Sequence, residues 1–152
     1  MTTWPYTGYD KTASGKLPAT ERWREIASYL FGFSNLGTFV DRDMVGKTPP
    51  QKSVHASGRA MDLGLKDARK LFDAATWLGQ ETIAKKLFIE EIHNYSDGTY
   101  GRGWRCSRSP HWVAWTAQNN GKSPGGLWLH IELQPGLTVA RVEKAWKDLF
   151  PS

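Results

Sequence analysis

The chain has a single cysteine, Cys106, among its 152 residues. One thiol cannot form an internal disulfide, so the fold cannot depend on a disulfide framework. No stretch approaches the roughly eighteen consecutive apolar residues of a membrane-spanning helix. The first ten residues hold neither a basic region nor an apolar run, as a signal peptide would. We therefore expect a protein that starts in the cytoplasm, without a signal peptide or a membrane span.

Linkers and internal repeats are also missing. No Pro/Ser-rich stretch divides the chain, and its length suits one domain over residues 1–152 with a core from about 20 to 150. We expect this domain to be a monomer.

The charge is moderately basic. Lys and Arg number 20 against 15 Asp and Glu, which gives a formal net charge of +5 and favours polyanionic partners. The basic residues are scattered over several segments, so the sequence disfavours a dedicated nucleic-acid surface. Only residues 100–112 alternate arginines with aromatics, as single-strand binders do. A long loop beside a cleft explains that segment equally well, and we rank a nucleic-acid binder last.

Two segments of alternating apolar and polar residues predict strands with polar side chains on one face. In the first, Met61 and Leu63 suit a core while Asp62 between them points the other way. In the second, His130 and Glu132 share the face opposite to alternating leucine and isoleucine residues. Each predicted strand therefore offers a metal-ligand type on its non-core face.

A third candidate ligand precedes the first strand. His55 lies seven residues before Asp62, across an Ala-Ser-Gly turn that can fold the chain back. Taken singly, such residues are more often caps or ordinary hydrogen-bonded side chains. Together, two imidazoles and one carboxylate suit zinc and leave a fourth position for water.

The residues around these ligands resemble a known pair of signatures. Ser53-x-His55-x-x-Gly58-x-Ala60-x-Asp62 is similar to the first signature of the zinc peptidases that include D-Ala-D-Ala carboxypeptidases and phage L-alanyl-D-glutamate endopeptidases. Lysostaphin and the hedgehog amino domain are relatives of this family. The stretch from Trp128 to Leu133, Trp-Leu-His-Ile-Glu-Leu, resembles its second signature. The likeness covers roughly residues 20 to 135.

The resemblance implies a fold, a cofactor and an activity. His55, Asp62 and His130 would be the zinc ligands. The fold would be α+β, with a small antiparallel sheet that carries the zinc site and is flanked by helices, as in hedgehog and D-Ala-D-Ala peptidases. The activity would be cleavage of the peptide stem of bacterial peptidoglycan, by an enzyme of the phage endolysin or tail-associated type. Such an enzyme reaches the bacterial cell wall through a holin or on the infecting particle.

One position departs from the family pattern. The family has an Asp or Glu three residues before the last histidine, where it acts as general base, and here that residue is Leu127. A positioned base contributes roughly two to four orders of magnitude in rate. The alternative function is therefore a zinc-containing wall-binding or structural domain that has lost catalysis.

Substitutes for the missing base come from a third predicted strand, residues 87–95. Alternation puts Glu91 and His93 on one face with Ile89, and Glu90 on the other with Ile92. Glu91 or His93 could then reach the water of the metal site, and a solvated strand face is the alternative interpretation. Arg42 is a candidate donor to the oxyanion, against a role in surface solvation.

The remaining candidates surround the ligands. We expect Glu132 and Ser53 to support the ligands from outside the coordination sphere, with Glu132 orienting His130 or His55. Substrate contacts are predicted for aromatic and polar residues near the second signature, as aromatic walls are common in sites that bind sugars or peptides: Trp128, Trp112 and His111. A local hydrophobic cluster is the alternative for the tryptophans.

Helical spacing completes the layout. We predict a helix capped by Thr20 with Leu30 on its inner face, and a second over residues 67–78 with Phe72 inward. A short helix spans residues 80–86, and the last begins at Thr138. Residues 41–52, which include two adjacent prolines, are predicted to be a loop.

Overall fold

The computed structural model describes residues 3–119 and 124–151 of the protein. In these residues it is an α+β structure with one six-stranded antiparallel sheet and four α-helices, which confirms the predicted class. The helices are α1 (Pro18–Phe31), α2 (Ala68–Leu78), α3 (Glu81–Lys86) and α4 (Val139–Leu149). The strands are β1 (Ser34–Gly37), β2 (Ala60–Gly64), β3 (Ile89–Asn94), β4 (Arg102–Arg105), β5 (Trp112–Ala114) and β6 (Trp128–Leu133). No helix in the described part of the chain is long and apolar enough to cross a membrane.

The strand order is β1-β2-β6-β3-β4-β5, so the last strand of the chain lies in the middle of the sheet. Strand β6 pairs with β2 on one side and with β3 on the other, and His130 lies opposite Asp62 in β2 and opposite His93 in β3. Cross-strand partners share a face of the sheet. The pairing therefore collects polar side chains of three strands on one face.

The other face of the sheet forms the core. Met61 and Leu63 of β2 and Leu129 and Ile131 of β6 are fully buried, as their alternation predicts. Residues of three helices pack on this face within the same cluster of buried apolar side chains, among them Trp23, Leu71 and Trp146. Burial of this apolar surface is the main force that holds the helices on the sheet.

Strand β3 contains an irregularity that the alternation did not predict. Its register with β6 shifts between Ile89 and Glu91, so Ile89 lies opposite Leu133 while Glu91 lies opposite Glu132. Ile89 therefore belongs to the core face and does not share a face with Glu91, contrary to the prediction. The extra residue in the bulge, Glu90, lets the strand keep an apolar side chain in the core before it.

Helix ends differ from the prediction at one place. Helix α1 begins at Pro18, whose fixed φ suits the first turn, and Thr20 is a buried residue inside the helix and not its cap. The predicted cap Thr138 accepts a hydrogen bond from the amide of Arg141 and confirms the start of α4. Asp67 caps α2 in the same way.

Two predicted core residues and one predicted loop also need correction. Leu30 and Phe72 are 37% and 43% exposed, so they lie at the margins of their helices' buried faces. Residues 100–112 are not one long loop, because they contain β4 and the start of β5. Residues 41–52 are irregular as predicted, apart from an isolated bridge between Asp43 and Lys52.

Candidate metal centre

Three side chains predicted as zinc ligands lie together on the polar face of the sheet. Ligand atoms of His55, Asp62 and His130 are all within 4.8 Å of one another. Asp62 and His130 are direct cross-strand partners in β2 and β6. His55 comes from a single 3-10 turn, Val54–Ser57, and Gly58 ends this turn in the left-handed conformation at φ 76°. Because that conformation favours glycine, Gly58 allows the chain to return directly into β2.

His55 is fixed on three sides. Its Nε2 lies 3.2 Å from Oδ2 of Asp62, and its Nδ1 lies 2.6 Å from the carbonyl oxygen of Thr38. A carbonyl can only accept, so Nδ1 carries the proton and Nε2 is left as the ligand atom. The hydroxyl of Ser53 accepts a hydrogen bond from the backbone amide of His55. Ser53 therefore holds the turn on which the ligand sits.

His130 is also held at both ring nitrogens, but here Nδ1 faces Asp62 and Nε2 contacts another acceptor. Its Nδ1 lies 3.0 Å from Oδ1 of Asp62, and its Nε2 lies 2.7 Å from Oε2 of Glu132. When Nε2–H donates to Glu132, Nδ1 is free to bind a metal beside Asp62. In both histidines one nitrogen faces Asp62 and the other is fixed by an acceptor, which is the arrangement that metal-binding histidines have.

The pKa shifts at the site show that it favours a bound positive charge. Burial acts against the charged form of Asp62, but hydrogen bonds from His130 and His55 outweigh it and hold its pKa far below the usual range. Burial also acts against the charged form of His130, yet its bonds to Asp62 and Glu132 raise its pKa well above the usual value. Two carboxylates thus stabilise a cation at His130. A divalent metal would supply the same positive charge by replacing the protons that His55 Nε2 and His130 Nδ1 direct at Asp62. This donor set could hold a metal ion and fits zinc.

Glu91 lies beside the triad on the same face, opposite Glu132. It is buried, and both of its carboxylate oxygens lie 3.1 to 3.2 Å from Nη2 of Arg105. Burial and the nearby Glu132 raise the pKa of Glu91. Arg105 lowers this pKa, but by less than burial and Glu132 raise it. The pKa of Glu91 therefore lies above the ordinary glutamate range.

His93 lies opposite His130 and is buried in a row of rings. Its Nε2 is 3.1 Å from the carbonyl oxygen of Tyr100, and its ring stacks on Tyr95 at 3.7 Å between centroids. Burial and the neighbouring His130 lower its pKa to about 3. His93 is thus a neutral imidazole at physiological pH and donates its ring N–H to the backbone.

Further aromatic rings pack in line with His93 and Tyr95, one on each side of this pair. Trp115 lies 4.9 Å from His93, and Trp128 stacks on Tyr95 at 3.7 Å with an interplanar angle of 10°. We call the set of Trp115, His93, Tyr95 and Trp128 the aromatic row. It places the predicted substrate contact Trp128 two residues before the ligand His130 on the same strand.

Two of the three remaining predicted site residues lie elsewhere. Trp112 is the cross-strand partner of the core residue Trp104 and packs against the core, so it lies on the helix side of the sheet, away from the triad. His111 is exposed, and its backbone amide bonds to the carbonyl of Arg108. Arg42 is exposed in the irregular segment before Ser53, and its carbonyl oxygen accepts a hydrogen bond from the amide of Ser53.

Leu127 occupies the position where an acidic base is expected from the resemblance. It precedes β6, and its side chain is 48% exposed. Its backbone carbonyl accepts a hydrogen bond from the amide of Leu65. The side chain at this position offers no group that can transfer a proton.

Several contacts of the site were not predicted. Thr38 acts through its carbonyl, which every residue possesses, so no side-chain pattern could reveal it. Arg105 belongs to β4, within the segment for which the sequence leaves a loop and a single-strand-binding surface as alternatives. Tyr6 donates a hydrogen bond of 2.5 Å to Oε1 of Glu132 from 126 residues away, and no local pattern connects the two.

No protein-family model, no curated protein and no solved structure matches this chain.

Proposed function

We propose that the protein is a zinc-dependent peptidase that cleaves the peptide stem of bacterial peptidoglycan, of the phage endolysin or tail-associated type. The observation that carries the proposal is the cluster of His55, Asp62 and His130, in which each histidine presents one nitrogen to Asp62 and has the other fixed. When bound, zinc polarises a peptide carbonyl and makes water a stronger nucleophile at neutral pH.

The chain's own residues supply the remaining chemistry. Asp62 and the two histidines would hold the metal. Glu91 would take a proton from the attacking water, which is the role of the Asp or Glu that the family has at the position of Leu127. The support for Glu91 is its place on the ligand face, its burial and its raised pKa. His93 stays neutral and forms part of a wall against which the substrate lies.

Substrate recognition is assigned to groups around this wall. The aromatic row offers flat apolar surface beside the ligands, with Trp128 nearest to His130 along the strand. Arg42 is the candidate to stabilise negative charge on the carbonyl oxygen during the reaction. The net charge of +5 favours approach to an anionic wall polymer.

A second function rests on Leu127. A domain with the same metal and no positioned base would bind the cell wall, or serve a structural role, without cutting it. The ion pair of Glu91 with Arg105 favours this alternative, because it holds both oxygens of the substitute base.

Metal content and hydrolysis together separate the two functions. We expect the purified protein to contain about one zinc per chain and to release new amino groups from purified peptidoglycan. His130→Ala should lose both, because it removes a ligand. Zinc without His130-dependent release supports the wall-binding alternative, and a wild-type protein that binds no zinc contradicts both functions.

A further inference from the structure

The amino-terminal segment, residues 3–17, is docked across the sheet by bonds to several elements. The amide of Trp4 donates to the carbonyl of Cys106, and both the amide and the hydroxyl of Thr7 donate to the buried carboxylate of Glu90 at 2.9 Å. Farther along, the amide of Ala13 donates to the carbonyl of Ala56 in the 3-10 turn that carries His55. The segment therefore spans from β3 to the metal-binding turn.

A buried arginine fixes the middle of the segment. Arg59 is 4% exposed, and its guanidinium donates to the carbonyl oxygens of Gly8 and Leu133 and pairs with Asp10. A buried guanidinium with three acceptors is costly to release, because each bond it loses leaves a desolvated charge unpaired. The position of the segment near Tyr6 is thus set by the fold itself.

Tyr6 connects this segment to the metal centre. Its hydroxyl donates to Oε1 of Glu132, while Oε2 of the same carboxylate lies 2.7 Å from Nε2 of His130. The two oxygens of Glu132 are divided between the tyrosine and the ligand. Because the hydroxyl holds one oxygen, it restricts rotation of the carboxylate that orients the imidazole.

The ring of Tyr6 is held independently of its hydroxyl. The guanidinium of Arg105 lies 3.9 Å from the ring centroid, and Arg105 is anchored in turn by its ion pair with Glu91. Tyr6 also packs against the apolar core. Removal of the hydroxyl alone should therefore leave the ring and the segment in place.

We propose that Tyr6 is a positioning residue of the metal centre, which acts through Glu132 to hold His130 with Nδ1 directed at the metal. The inference rests on the zinc site of the proposed function and extends that site to the first residues that the structure describes. It is independent of whether the protein hydrolyses a substrate.

The test measures zinc affinity by competition with a chromophoric chelator. Tyr6→Phe removes only the hydroxyl, and we expect zinc to bind about tenfold more weakly, at the lower end of the effect of outer partners of a ligand. Tyr9→Phe is the matched control in the same segment, because the hydroxyl of Tyr9 is bonded to Thr12 of that segment and, among the described residues, makes no hydrogen bond to the metal centre. Tyr9→Phe should bind zinc like the wild type.

A double-mutant cycle shows whether Tyr6 acts through Glu132. Glu132→Gln should weaken zinc binding by about 10- to 100-fold, and Tyr6→Phe added to it should cause little further loss. Fully additive losses would show that Tyr6 acts by another route and would overturn the proposal. The visible spectrum of the cobalt-substituted protein should change in Tyr6→Phe and stay constant in Tyr9→Phe.

Alkylation of Cys106 reports whether the segment is still docked. The thiol is buried, donates to the carbonyl of Pro5 and has a pKa that burial raises to about 12. It should therefore react slowly in the wild type and equally slowly in Tyr6→Phe. Fast alkylation of Cys106 in Tyr6→Phe would show that the hydroxyl is needed to keep the segment docked, and this would contradict a positioning role.

The outcomes for the two proposals are distinct. Unchanged zinc affinity in Tyr6→Phe overturns this inference and leaves the proposed function intact. Zinc binding without hydrolysis of peptidoglycan contradicts the peptidase and leaves the inference intact. A wild-type protein without zinc affinity overturns both.

Discussion

The two faces of the central strand β6 differ in how deeply they are buried and in what holds them. Leu129 and Ile131 point into an apolar cluster and have no exposed surface. His130 and Glu132, which alternate with them, lie among carboxylates, imidazoles and a phenol and are held by hydrogen bonds. The helix face is stabilised by the amount of apolar surface it buries, whereas the ligand face depends on specific partners. Substitutions on the two faces should therefore affect different measurements.

The largest effect on the ligand face is expected from His130→Ala. Zinc at about 100 times its dissociation constant should stabilise the wild type by about 2.7 kcal/mol. His130→Ala should lose this increment completely, because it removes one of three ligands. Urea unfolding with and without zinc measures the increment. Its survival in the variant would show that His130 does not bind the metal.

Glu91→Gln separates catalysis from metal binding within the ligand face. We expect hydrolysis to fall by about 10²- to 10⁴-fold while zinc content stays constant, because a general base is lost and no ligand is. The control is Glu25→Gln, whose exposed carboxylate pairs with Arg22 on α1. An equal loss of rate in both variants would contradict the role of Glu91.

The same pair of variants tests a pH dependence. A base acts in its ionised form, and the pKa of Glu91 is raised by burial and by Glu132. The rate should therefore rise with pH at values above the ordinary glutamate range, and Glu91→Gln should lose this rise. A pH–rate profile of each variant measures it. A profile that Glu91→Gln leaves unchanged would exclude Glu91 as the titrating group.

Ile131→Ala tests the helix face of the same strand. We expect a loss of about 2 to 5 kcal/mol in the free energy of unfolding, from lost burial and the cavity that remains. The zinc increment should persist, since the neighbouring ligands point the other way. Unfolding in urea with and without zinc gives both quantities. Loss of the increment would mean that the two faces are not independent.

The smallest effect is expected outside the sheet, at the start of α2. Asp67 caps α2 by accepting a hydrogen bond from the amide of Lys70. Asp67→Ala should lower the free energy of unfolding by about 1 kcal/mol and leave zinc affinity unchanged. The thermal midpoint and chelator competition measure the two. A change in zinc affinity would reveal coupling between the cap and the site.

Local pattern was enough to predict part of the fold and of the candidate site. Alternation around Asp62 and His130 predicted two strands, their core faces and the ligands on the opposite side, because side-chain direction in a strand follows from position alone. It failed at Glu90, where one extra residue moved Ile89 to the core face. A bulge depends on pairing with β6 and leaves little trace in the strand's own sequence.

The partners of the ligands were beyond local pattern. Thr38 contributes a backbone carbonyl, and Tyr6 lies 126 residues from the carboxylate that it contacts. At Thr20, by contrast, local pattern predicted a role that the structure does not give it. Threonine suits a helix cap, but the helix already begins at Pro18. Sequence therefore predicted which candidate ligands lie together better than it predicted the contacts that orient them.

The place of β6 in the sheet sets an order of assembly. Strands β1 and β2 form one pair and β3, β4 and β5 form another group, and among the strands of the described residues it is β6 that joins them. As a ribosome releases the chain, the residues of both groups are synthesised before the strand that connects them. The sheet and the triad are then completed by the same insertion, so zinc retained by a nascent or refolding chain would mark the moment at which the two halves have joined.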